Sequence, residues 1–362
     1  MQKQWDVTYR YAVIFDPKTG QGARSNIHDL QGHDTLVEPY RGSFPELLDI
    51  GIMGHCDHGE SGLCLASGVQ CYQKGGSLHE EHLSFDQFKR IIDEAQGKTF
   101  QVALGGRGDP DQHPDIIRIL AYAHHHHVTP NFTTSGYGLK KELLPAIKQY
   151  CGAVAVSWYR NSYTLDAIRM LTEYGIKTNI HYVISNSSID EAIRRMETWD
   201  WPTGINRIIF LLHKPVGFGT TDEVLRIDDP RVRHFFALFD QPEFANKAGF
   251  DSCCVPAILN LTRNIHPDCI EACEAGRFSA YISPDNKLYP CSFEKDERYA
   301  VSLESMSIEE AWESEAFDRF RSRQTHKCPN CVNRSSCYSG CPIVSDITLC
   351  DLSSKNLKEN SL

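Results

Sequence analysis

The stretch that decides the fold begins at residues 47–53, LLDIGIM, a short apolar run rich in branched side chains. Five further runs of this kind follow it, at residues 100–104, 128–134, 153–157, 177–184 and 207–212. Segments with helical spacing lie between most of them, and from residue 100 onward the runs start at roughly 24- to 30-residue intervals, the length of a strand–helix unit. The pattern predicts an α/β fold with six parallel strands, either a partial (β/α)6 TIM-like barrel or an open doubly wound sheet. In both folds the chemistry belongs at the carboxyl ends of the strands.

Composition and charge exclude several classes of protein. Of the 362 residues, 41% are hydrophobic and 23% are charged, so the chain buries a normal core. A net charge of −10 does not favour binding to duplex nucleic acid or to an anionic membrane surface, because both are negatively charged. No apolar run reaches the roughly 18 to 20 residues of a membrane-spanning helix. The start, MQKQWDVTYRYAV, lacks the pattern of a signal peptide. We therefore expect a cytoplasmic protein with neither a nucleic-acid nor a membrane partner.

The distribution of motifs predicts four segments along the chain. Residues 1–45 form an N-terminal extension with one strand-like run, residues 9–15, and no readable motif, and residues 46–245 carry the strand–helix repeats. Residues 246–351 form a small Cys-rich domain, because 10 of the 14 cysteines lie between positions 253 and 350, and one amphipathic helix is expected there at about residues 308–323. Residues 352–362 form a polar, flexible tail.

Three cysteines stand in one loop directly after the first predicted strand: Cys56, Cys64 and Cys71. In a chain without an export signal, clustered cysteines hold metal more often than they form disulfides. Three thiolates are one short of closing a tetrahedral zinc site or a cubane iron–sulfur cluster. A metal centre with an open position binds a substrate or cofactor there. The alternative is a closed zinc loop with His55 or His58 as the fourth ligand.

A second set of cysteines lies in the C-terminal region. It comprises Cys328, Cys331, Cys337 and Cys341, spaced by two, five and three residues, then Cys350, with Cys269, Cys273 and Cys291 upstream. Eight thiolates are enough for two closed four-Cys sites, and spacing alone does not separate zinc from iron–sulfur. Cys151 stands apart and is predicted to be a buried core thiol.

Taken together, these stretches resemble the radical S-adenosylmethionine enzymes that carry a SPASM domain, over roughly residues 45–350. The run KCPNCVNRSSCYSGCPI matches the cysteine signature of that domain, and ISPDNKLYPCSF resembles the segment before its second cysteine, with Asn286 where Gly is usual. ALGGRGDPDQHPDI resembles the Gly-Gly-Glu motif after the second barrel strand. Two features depart from the family. The first loop is longer than Cx3Cx2C at both intervals, and Arg107 stands in place of the Glu.

The resemblance implies a fold and a chemistry. The fold is a partial (β/α)6 TIM-like barrel followed by a small Cys-rich iron–sulfur domain. A [4Fe–4S] cluster on Cys56, Cys64 and Cys71 would leave one iron open for S-adenosylmethionine. One-electron cleavage would then give a 5′-deoxyadenosyl radical that abstracts hydrogen from a substrate. The protein would position the substrate and exclude water from the radical.

Residues at the ends of the predicted strands are candidate contacts of S-adenosylmethionine. The amino group would meet backbone carbonyls near Gly105 and Gly106, or Asp109, whose alternative role is to cap the next helix. By resemblance, Ser157 contacts the carboxylate or ribose. Ser135 closes the third strand, and Arg160 would pair with the carboxylate. For these last residues the alternative is a helix cap or a loop hydrogen bond.

By resemblance, the C-terminal cysteines would hold two auxiliary clusters, which brings the expected total to three [4Fe–4S] clusters. The first would use Cys269, Cys273, Cys291 and Cys341, and the second Cys328, Cys331, Cys337 and Cys350. Cys253 or Cys254 is an open alternative to Cys269. Both clusters would transfer electrons, and the partners would include an electron donor such as flavodoxin or ferredoxin.

The resemblance implies a peptide as the leading substrate class, because relatives with this domain mostly modify peptides. The products would be a crosslink, an epimer or an oxidised side chain. Formylglycine formation is disfavoured, since relatives with that activity place an Asp directly after the residue corresponding to Cys291, where this chain has Ser292. The alternatives are a small-molecule dehydrogenase or carbon–carbon bond former, and a non-catalytic, zinc-binding interaction protein.

Overall fold

A computed structural model describes residues 1–244, 246–266, 269–324, 328, 331 and 333–350. The predicted tail, 352–362, lies outside the described residues. The strands follow in chain order: β1 Gln2–Asp6, β2 Tyr11–Asp16, β3 Gln21–Arg24, β4 Leu47–Met53, β5 Gln101–Gly106, β6 Thr129–Thr134, β7 Val154–Ser157, β8 Thr178–Ile184, β9 Arg207–Leu212, β10 Ala248–Phe250, β11 Ser279–Ile282, β12 Lys287–Tyr289 and β13 Val301–Ser302.

The α-helices alternate with the strands through most of the chain. They are α1 Asp57–Glu60, α2 Leu63–Ala66, α3 Phe85–Ala95, α4 Ile116–His125, α5 Leu144–Tyr150, α6 Ser162–Glu173, α7 Ile189–Thr198, α8 Pro230–Leu238, α9 Val255–Leu261, α10 Ile308–Trp312, α11 Glu315–Ser322 and α12 Arg334–Cys337. In the described part of the chain, none of these helices has the length and apolar character needed to cross a membrane.

The chain divides into two compact units. The first comprises Met1–Val69, Lys74–Thr178 and Ala275–Phe320. The second comprises Gln70–Gln73, Asn179–Glu274 and the described residues from Arg321 onward. The boundaries predicted near residues 45, 245 and 351 describe a different division and stay a prediction.

The main sheet of the first unit has the strand order β7-β6-β5-β4-β11-β12-β13. Strands β4 to β7 run parallel, and β11 pairs parallel with β4 through Ser279 and Leu47. Alternate residues of β4 are fully buried, among them Leu48, Ile50 and Ile52. Helix α3 packs Phe88 and Ile92 into the core and begins at a capping box formed by Ser84 and Gln87. The carboxyl ends of β4 to β7 therefore lie along one edge of this sheet.

The N-terminal extension has more structure than its sequence predicted. Strands β1, β2 and β3 form an antiparallel sheet, although only residues 9–15 read as a strand. Tyr11, Val13 and Phe15 of β2 pack with Phe100 and Phe278 in one buried cluster. The extension is thus anchored to the first unit by apolar contacts on one face of β2.

The second unit contains β8, β9 and β10 as a parallel sheet, with β9 in the middle. Its core is aromatic: Phe210 of β9 packs edge-on against Phe235 of α8 at 5.0 Å, and Phe239 lies 4.5 Å from Phe250 of β10. All six predicted strand–helix runs are present as β4 to β9, so the predicted α/β class is confirmed. The helix expected over residues 308–323 is instead two helices, α10 and α11.

Candidate functional site

The loop after β4 places Cys56 and Cys64 on two short helices of the first unit. Cys56 is the N-cap residue of α1, and its Sγ accepts the Gly59 N–H at 3.1 Å. Cys64 is buried in α2 and donates its thiol to the His58 carbonyl at 3.8 Å. The added residues of the Cys56–Cys64 interval are therefore folded as one helical turn and its cap.

Glycines let the backbone approach this loop closely. A Cβ built on Gly75 would lie 3.4 Å from the Cys56 Sγ and 3.0 Å from the Arg107 carbonyl oxygen. A Cβ on Gly59 would stand 2.6 Å from the Gly75 carbonyl carbon. A side chain at either position would displace the backbone beside the Cys56 sulfur.

The Gly-Gly pair ends β5 against the end of β4. Gly106 has φ of +115°, and a Cβ there would lie 2.5 Å from the Met53 carbonyl oxygen, so only Gly fits. Gly105 has open space instead. The Arg107 guanidinium, which replaces the expected carboxylate, pairs with Glu80 and donates to the Gly54 carbonyl at 3.3 Å. Arg107 therefore ties the β5 end to the cysteine loop.

Asp109 and Ser135 meet beyond the ends of β5 and β6. The Asp109 carboxylate accepts the Ser135 N–H at 2.7 Å and the Ser135 hydroxyl at 2.5 Å. It does not cap the following 3-10 turn, so the capping alternative for this side chain is wrong. Burial, and then the negative charge of Asp111, raise the pKa of Asp109 to about 7. The carboxyl is thus held ready to exchange a proton near neutral pH.

Asp111 is a second carboxyl near Asp109, and the two are called the carboxyl pair below. Its side chain is buried, Oδ2 accepts from the Gln112 amide, and Oδ1 has no hydrogen-bond partner. Burial also raises the pKa of Asp111. The negative charge of Asp111 is thus a second reason, after burial, why Asp109 keeps its proton to a higher pH.

An aromatic cluster that the sequence analysis did not identify surrounds His58. The His58 ring stacks on Tyr137 at 5.0 Å and meets the edge of Tyr163 at 5.2 Å. Its Nε2 lies 2.7 Å from the Tyr163 hydroxyl, which accepts from the Asn161 amide and so donates to the imidazole. Burial lowers the pKa of His58, which favours the neutral ring. Nε2 of His58 is thus bonded to Tyr163, and the alternative of His58 as a metal ligand stays a prediction.

The same cluster lies beside both Cys64 and Asp109. Burial raises the pKa of the Tyr163 hydroxyl, and the nearby charges of Cys64 and Asp109 raise it further. The pKa of this one phenol therefore depends on charges in both the cysteine loop and the carboxyl pair. Only the spacing of His58 in the loop could have indicated this role, since its aromatic partners come from distant segments.

The other two predicted cofactor contacts lie after β7. Ser157 is the last residue of this strand and is partly exposed. Arg160 is exposed and adopts a left-handed conformation with φ of 65°, which is uncommon for a residue with a side chain. Both stand at the edge of the first unit where Cys56, Asp109 and Ser135 lie.

Cys71 belongs to the second unit. Its carbonyl accepts the Phe218 N–H at 2.9 Å, and Gly217, with φ of +71°, leaves room for the backbone of Tyr72. The segment around Cys71 is thus held by the loop that follows β9.

That loop also carries a buried ion pair. Lys214 donates to Asp251 Oδ2 and to the Leu212 carbonyl, both at 2.9 Å. Burial by itself would lower the pKa of Lys214, but attraction to Asp251 and to the nearby thiols raises it overall. Lys214 and the preceding His213 are both buried. The partner follows Lys214 by 37 residues, so spacing gave no signal of this pair.

Cys341 of the second unit lies in surroundings that favour its thiolate. Its sulfur accepts the Val344 N–H at 3.3 Å. The nearby Cys253 thiol, together with this N–H, lowers the pKa of Cys341. Between Cys337 and Cys341, three successive residues have positive φ and turn the chain sharply.

The remaining predicted ligands lie on loops and short turns. Cys269 is exposed, and the others are partly exposed: Cys273, Cys291, Cys328, Cys331, Cys337 and Cys350. Asn286 has φ of 58°, which explains how Asn stands where the family usually has Gly. Cys151 is partly exposed and lines a cavity of about 500 Å³ near the amino ends of β6 and β7, so its prediction as a buried core thiol is wrong in part.

The donor chemistry fits iron–sulfur clusters. Thiolates are the ligands of such clusters, and the Cys56 and Cys341 sulfurs already accept backbone N–H groups, an arrangement that tunes cluster potentials. In the residues that the structure describes, no three Cys, His, Asp or Glu side chains converge on one point.

Comparisons with known proteins bear on the family and the fold of this chain. Residues 273–338 match the SPASM family, an iron–sulfur cluster-binding domain. The chain is 23% identical over 308 residues to mycofactocin maturase MftC of Mycolicibacterium smegmatis, covering 77% of this chain and 75% of the relative.

Solved structures with the same fold include SuiB of Streptococcus suis bound to S-adenosylmethionine. That structure has a TM-score of 0.67 at 18% identity and covers 86% of this chain and 78% of SuiB. SuiB bound to its precursor peptide SuiA has a TM-score of 0.65 at 18% identity, with 86% and 77% covered. The predicted partial barrel followed by a Cys-rich domain is thus confirmed as the fold. The resemblance of this chain to radical S-adenosylmethionine enzymes with a C-terminal SPASM domain is confirmed by the domain match, the relatives and the fold.

Proposed function

We propose that this chain is a radical S-adenosylmethionine enzyme that modifies a peptide, with Cys56, Cys64 and Cys71 as ligands of the cofactor-binding cluster. When bound, the cluster and S-adenosylmethionine supply a 5′-deoxyadenosyl radical that abstracts hydrogen from the substrate. The observation that carries the proposal is the arrangement of the first unit. The Cys56–Cys64 loop and the Asp109–Ser135 pair stand beyond neighbouring strands at one edge of the sheet.

Asp109 is the proposed acceptor for the amino group of S-adenosylmethionine, in place of the Glu that Arg107 replaces. Two hydrogen bonds from Ser135 orient its carboxylate, while burial and Asp111 keep the pKa near 7. An arriving ammonium group would favour the ionised carboxylate and release the proton that Asp109 otherwise holds. The backbone at Gly105–Gly106, and the side chains of Ser157 and Arg160, are further proposed contacts.

The aromatic cluster around His58 supports two tasks. The rings of His58, Tyr137 and Tyr163 form a largely apolar wall beside Cys64 and Asp109 and would keep water from the reacting atoms. The bond between His58 and Tyr163 also fixes the backbone that carries the two cysteines. This rigid support matters more in a loop with longer intervals than the family usually has.

The C-terminal cysteines are proposed to hold two auxiliary [4Fe–4S] clusters that transfer electrons, for a total of three clusters. An electron donor of the flavodoxin or ferredoxin type would reduce the enzyme. The match of residues 273–338 to a cluster-binding domain supports this assignment.

The peptide substrate is proposed from the names of the relatives. One is a maturase, and SuiB has been solved with a precursor peptide. The change made to the peptide would be a crosslink, an epimerised residue or an oxidised side chain.

The experiment is anaerobic incubation of the cluster-loaded chain with S-adenosylmethionine, a reductant and short peptides encoded beside its gene. We expect 5′-deoxyadenosine to form and one peptide to change mass or stereochemistry. Omission of S-adenosylmethionine is the control. Cofactor cleavage that leaves every such peptide unchanged, while a small molecule is converted, would contradict the peptide assignment.

A further inference from the structure

The amino ends of β6 and β7 carry a cavity that the proposed chemistry does not use. It has a volume of about 500 Å³ and is built within the first unit, from the N-terminal extension and the turns that follow α4, α5 and α6. The Cys56–Cys64 loop and Asp109 lie beyond the carboxyl ends of the strands, so the cavity is at the opposite ends. Its volume falls in the range of small-molecule sites, roughly 300 to 1,000 Å³.

The charged side chains around this cavity are of one sign. Its lysines are Lys18, Lys148 and Lys177, and its histidines are His124 and His127. Both histidines come from a run of four consecutive histidines in the sequence. None of the described lining residues is an aspartate or a glutamate. The lining therefore has an excess of positive charge.

Backbone carbonyls hold two of the ammonium groups in place. The Lys148 Nζ donates to the Tyr174 carbonyl at 2.9 Å. The Lys177 Nζ donates to the Thr19 carbonyl at 2.6 Å and to the Lys18 carbonyl at 3.3 Å. Carbonyl groups orient these cations but do not neutralise their charge, as carboxylates would. The two ammonium groups are thus positioned before a ligand arrives.

The ends of three helices oppose this positive charge only in part. Helices α4, α5 and α6 end beside the cavity, and each carboxyl-terminal end carries about half a negative charge. Set against three ammonium groups, these ends leave about one and a half positive charges, before any histidine binds a proton. A phosphate monoester carries about −1.5 to −2 at neutral pH, so it matches this balance better than a single carboxylate does.

The rest of the cavity wall is apolar or aromatic. Val128, Ile147 and Ile176 line it with buried side chains. The rings of His124 and Tyr150 also line it and meet edge to face, with their centroids 5.5 Å apart. Such a surface favours a ligand that has an apolar or aromatic part beside its phosphate.

We propose that this cavity binds an organic phosphate, with Lys148 and Lys177 holding the phosphate group and Lys18 adding electrostatic attraction. The apolar part of the ligand packs against Ile147 and Ile176. Because the site lies at the strand ends away from the cysteine loop, its ligand stabilises the first unit and takes no part in the radical reaction. The site does not depend on the clusters or on the peptide.

The test is isothermal titration calorimetry on the full, cluster-loaded chain at neutral pH, without S-adenosylmethionine. Phenyl phosphate is the probe, and benzoate and phenol are compared with it. We expect phenyl phosphate to bind about 10-fold or more tightly than either, because it alone offers both a dianion and an aromatic ring. Benzoate or phenol binding as tightly as phenyl phosphate would overturn the assignment to a phosphate, and no binding of phenyl phosphate would overturn the site.

Charge substitutions locate the bound probe. Lys148→Gln and Lys177→Gln keep a donor for the backbone carbonyls but remove the charge, so each should weaken phenyl phosphate binding about 10-fold. Lys148→Arg keeps a cation and should retain binding, which excludes misfolding as the cause of the loss. Lys141→Gln, at an exposed position outside the cavity, is the matched control and should bind like wild type. Wild-type affinity in both cavity glutamine variants would overturn the proposal.

Alkylation of Cys151 gives an independent readout, since this thiol lines the same cavity. The chain is treated with iodoacetamide and digested, and the labelling of Cys151 is followed by mass spectrometry. We expect saturating phenyl phosphate to slow this labelling several-fold in wild type, and not in Lys148→Gln/Lys177→Gln at the same concentration. A labelling rate in wild type that phenyl phosphate leaves unchanged would place the probe elsewhere and overturn the proposal.

Discussion

Replacing Asp109 with asparagine tests whether this carboxyl is held neutral beside Asp111. The folded chain keeps the Asp109 proton up to a pKa of about 7, whereas an unfolded chain releases it near 3.8. Between these values the unfolded state binds fewer protons, so this group lowers the stability of the fold as the pH rises from about 4 to 7. Above pH 7 the loss is complete and constant. The amide of the Asp109→Asn variant cannot ionise, so the substitution removes this dependence.

The size of the effect follows from the shift. A rise of about three pKa units corresponds to about 4 kcal/mol, as an upper limit, at about 1.36 kcal/mol per unit. The Asp109 side chain is partly exposed, and its titration depends on the charge of Asp111. We therefore expect about half of this upper limit, roughly 2 kcal/mol. In Asp109→Asn the side-chain oxygen still accepts the Ser135 N–H, and the Ser135 hydroxyl can accept from the new amide. The rearranged bond costs about 1 kcal/mol or less.

The assay is thermal unfolding of the cluster-loaded chain without S-adenosylmethionine, at pH 5 and pH 8. We compare the melting temperature of Asp109→Asn with that of wild type at each pH. We expect this difference to be roughly 2 to 4 °C more favourable to the variant at pH 8 than at pH 5. Asp166→Asn, which replaces an exposed carboxylate on α6, is the matched control and should show no such gain. The same difference in melting temperature at both pH values would refute the conclusion that Asp109 keeps its proton up to about pH 7. The same variant should bind S-adenosylmethionine about 10-fold or more weakly, because a charge-assisted hydrogen bond is lost.

The remaining predictions concern backbone geometry and the buried ion pair. Gly106→Ala should lower the free energy of unfolding by about 2 kcal/mol or more, because Cβ meets the Met53 carbonyl at positive φ, whereas Gly105→Ala should be nearly neutral. Urea denaturation of both variants decides this, and equal losses would contradict the described β5 end. Lys214→Met should cost up to about 3 kcal/mol by leaving the partly buried Asp251 without its cation, and Lys214→Met/Asp251→Leu should recover most of that loss. A double variant as unstable as the single one would exclude the pair as the cause.

The parallel strands could be predicted almost to the residue. β4 and β9 begin and end where the apolar runs 47–53 and 207–212 do, because buried parallel strands need continuous branched side chains. β3 and β11 to β13 were missed, since they are two to four residues long and carry few such side chains. The helix expected over residues 308–323 is broken around Ser314, although the periodicity runs through that position.

The sequence pointed to individual candidate residues but not to the contacts between them. Asp109 and Ser135 were both identified as strand-end residues, yet their hydrogen bonds depend on how β5 and β6 align, which spacing does not give. The contact of Lys214 with Asp251 joins segments far apart in the chain. Such pairs arise from tertiary packing, so no local sequence pattern predicts them. The SPASM resemblance could be found from the sequence because cysteine spacing is itself local.

The central claim is that Cys56, Cys64 and Cys71 hold a cluster with one open iron for S-adenosylmethionine. The direct measurement compares wild type with the triple variant Cys56→Ala/Cys64→Ala/Cys71→Ala, each loaded without oxygen, for iron content and reductive formation of 5′-deoxyadenosine. We predict about 12 iron atoms per wild-type chain and about 8 in the variant, with 5′-deoxyadenosine abolished while the C-terminal clusters remain. Undiminished 5′-deoxyadenosine formation by the triple variant would contradict the account.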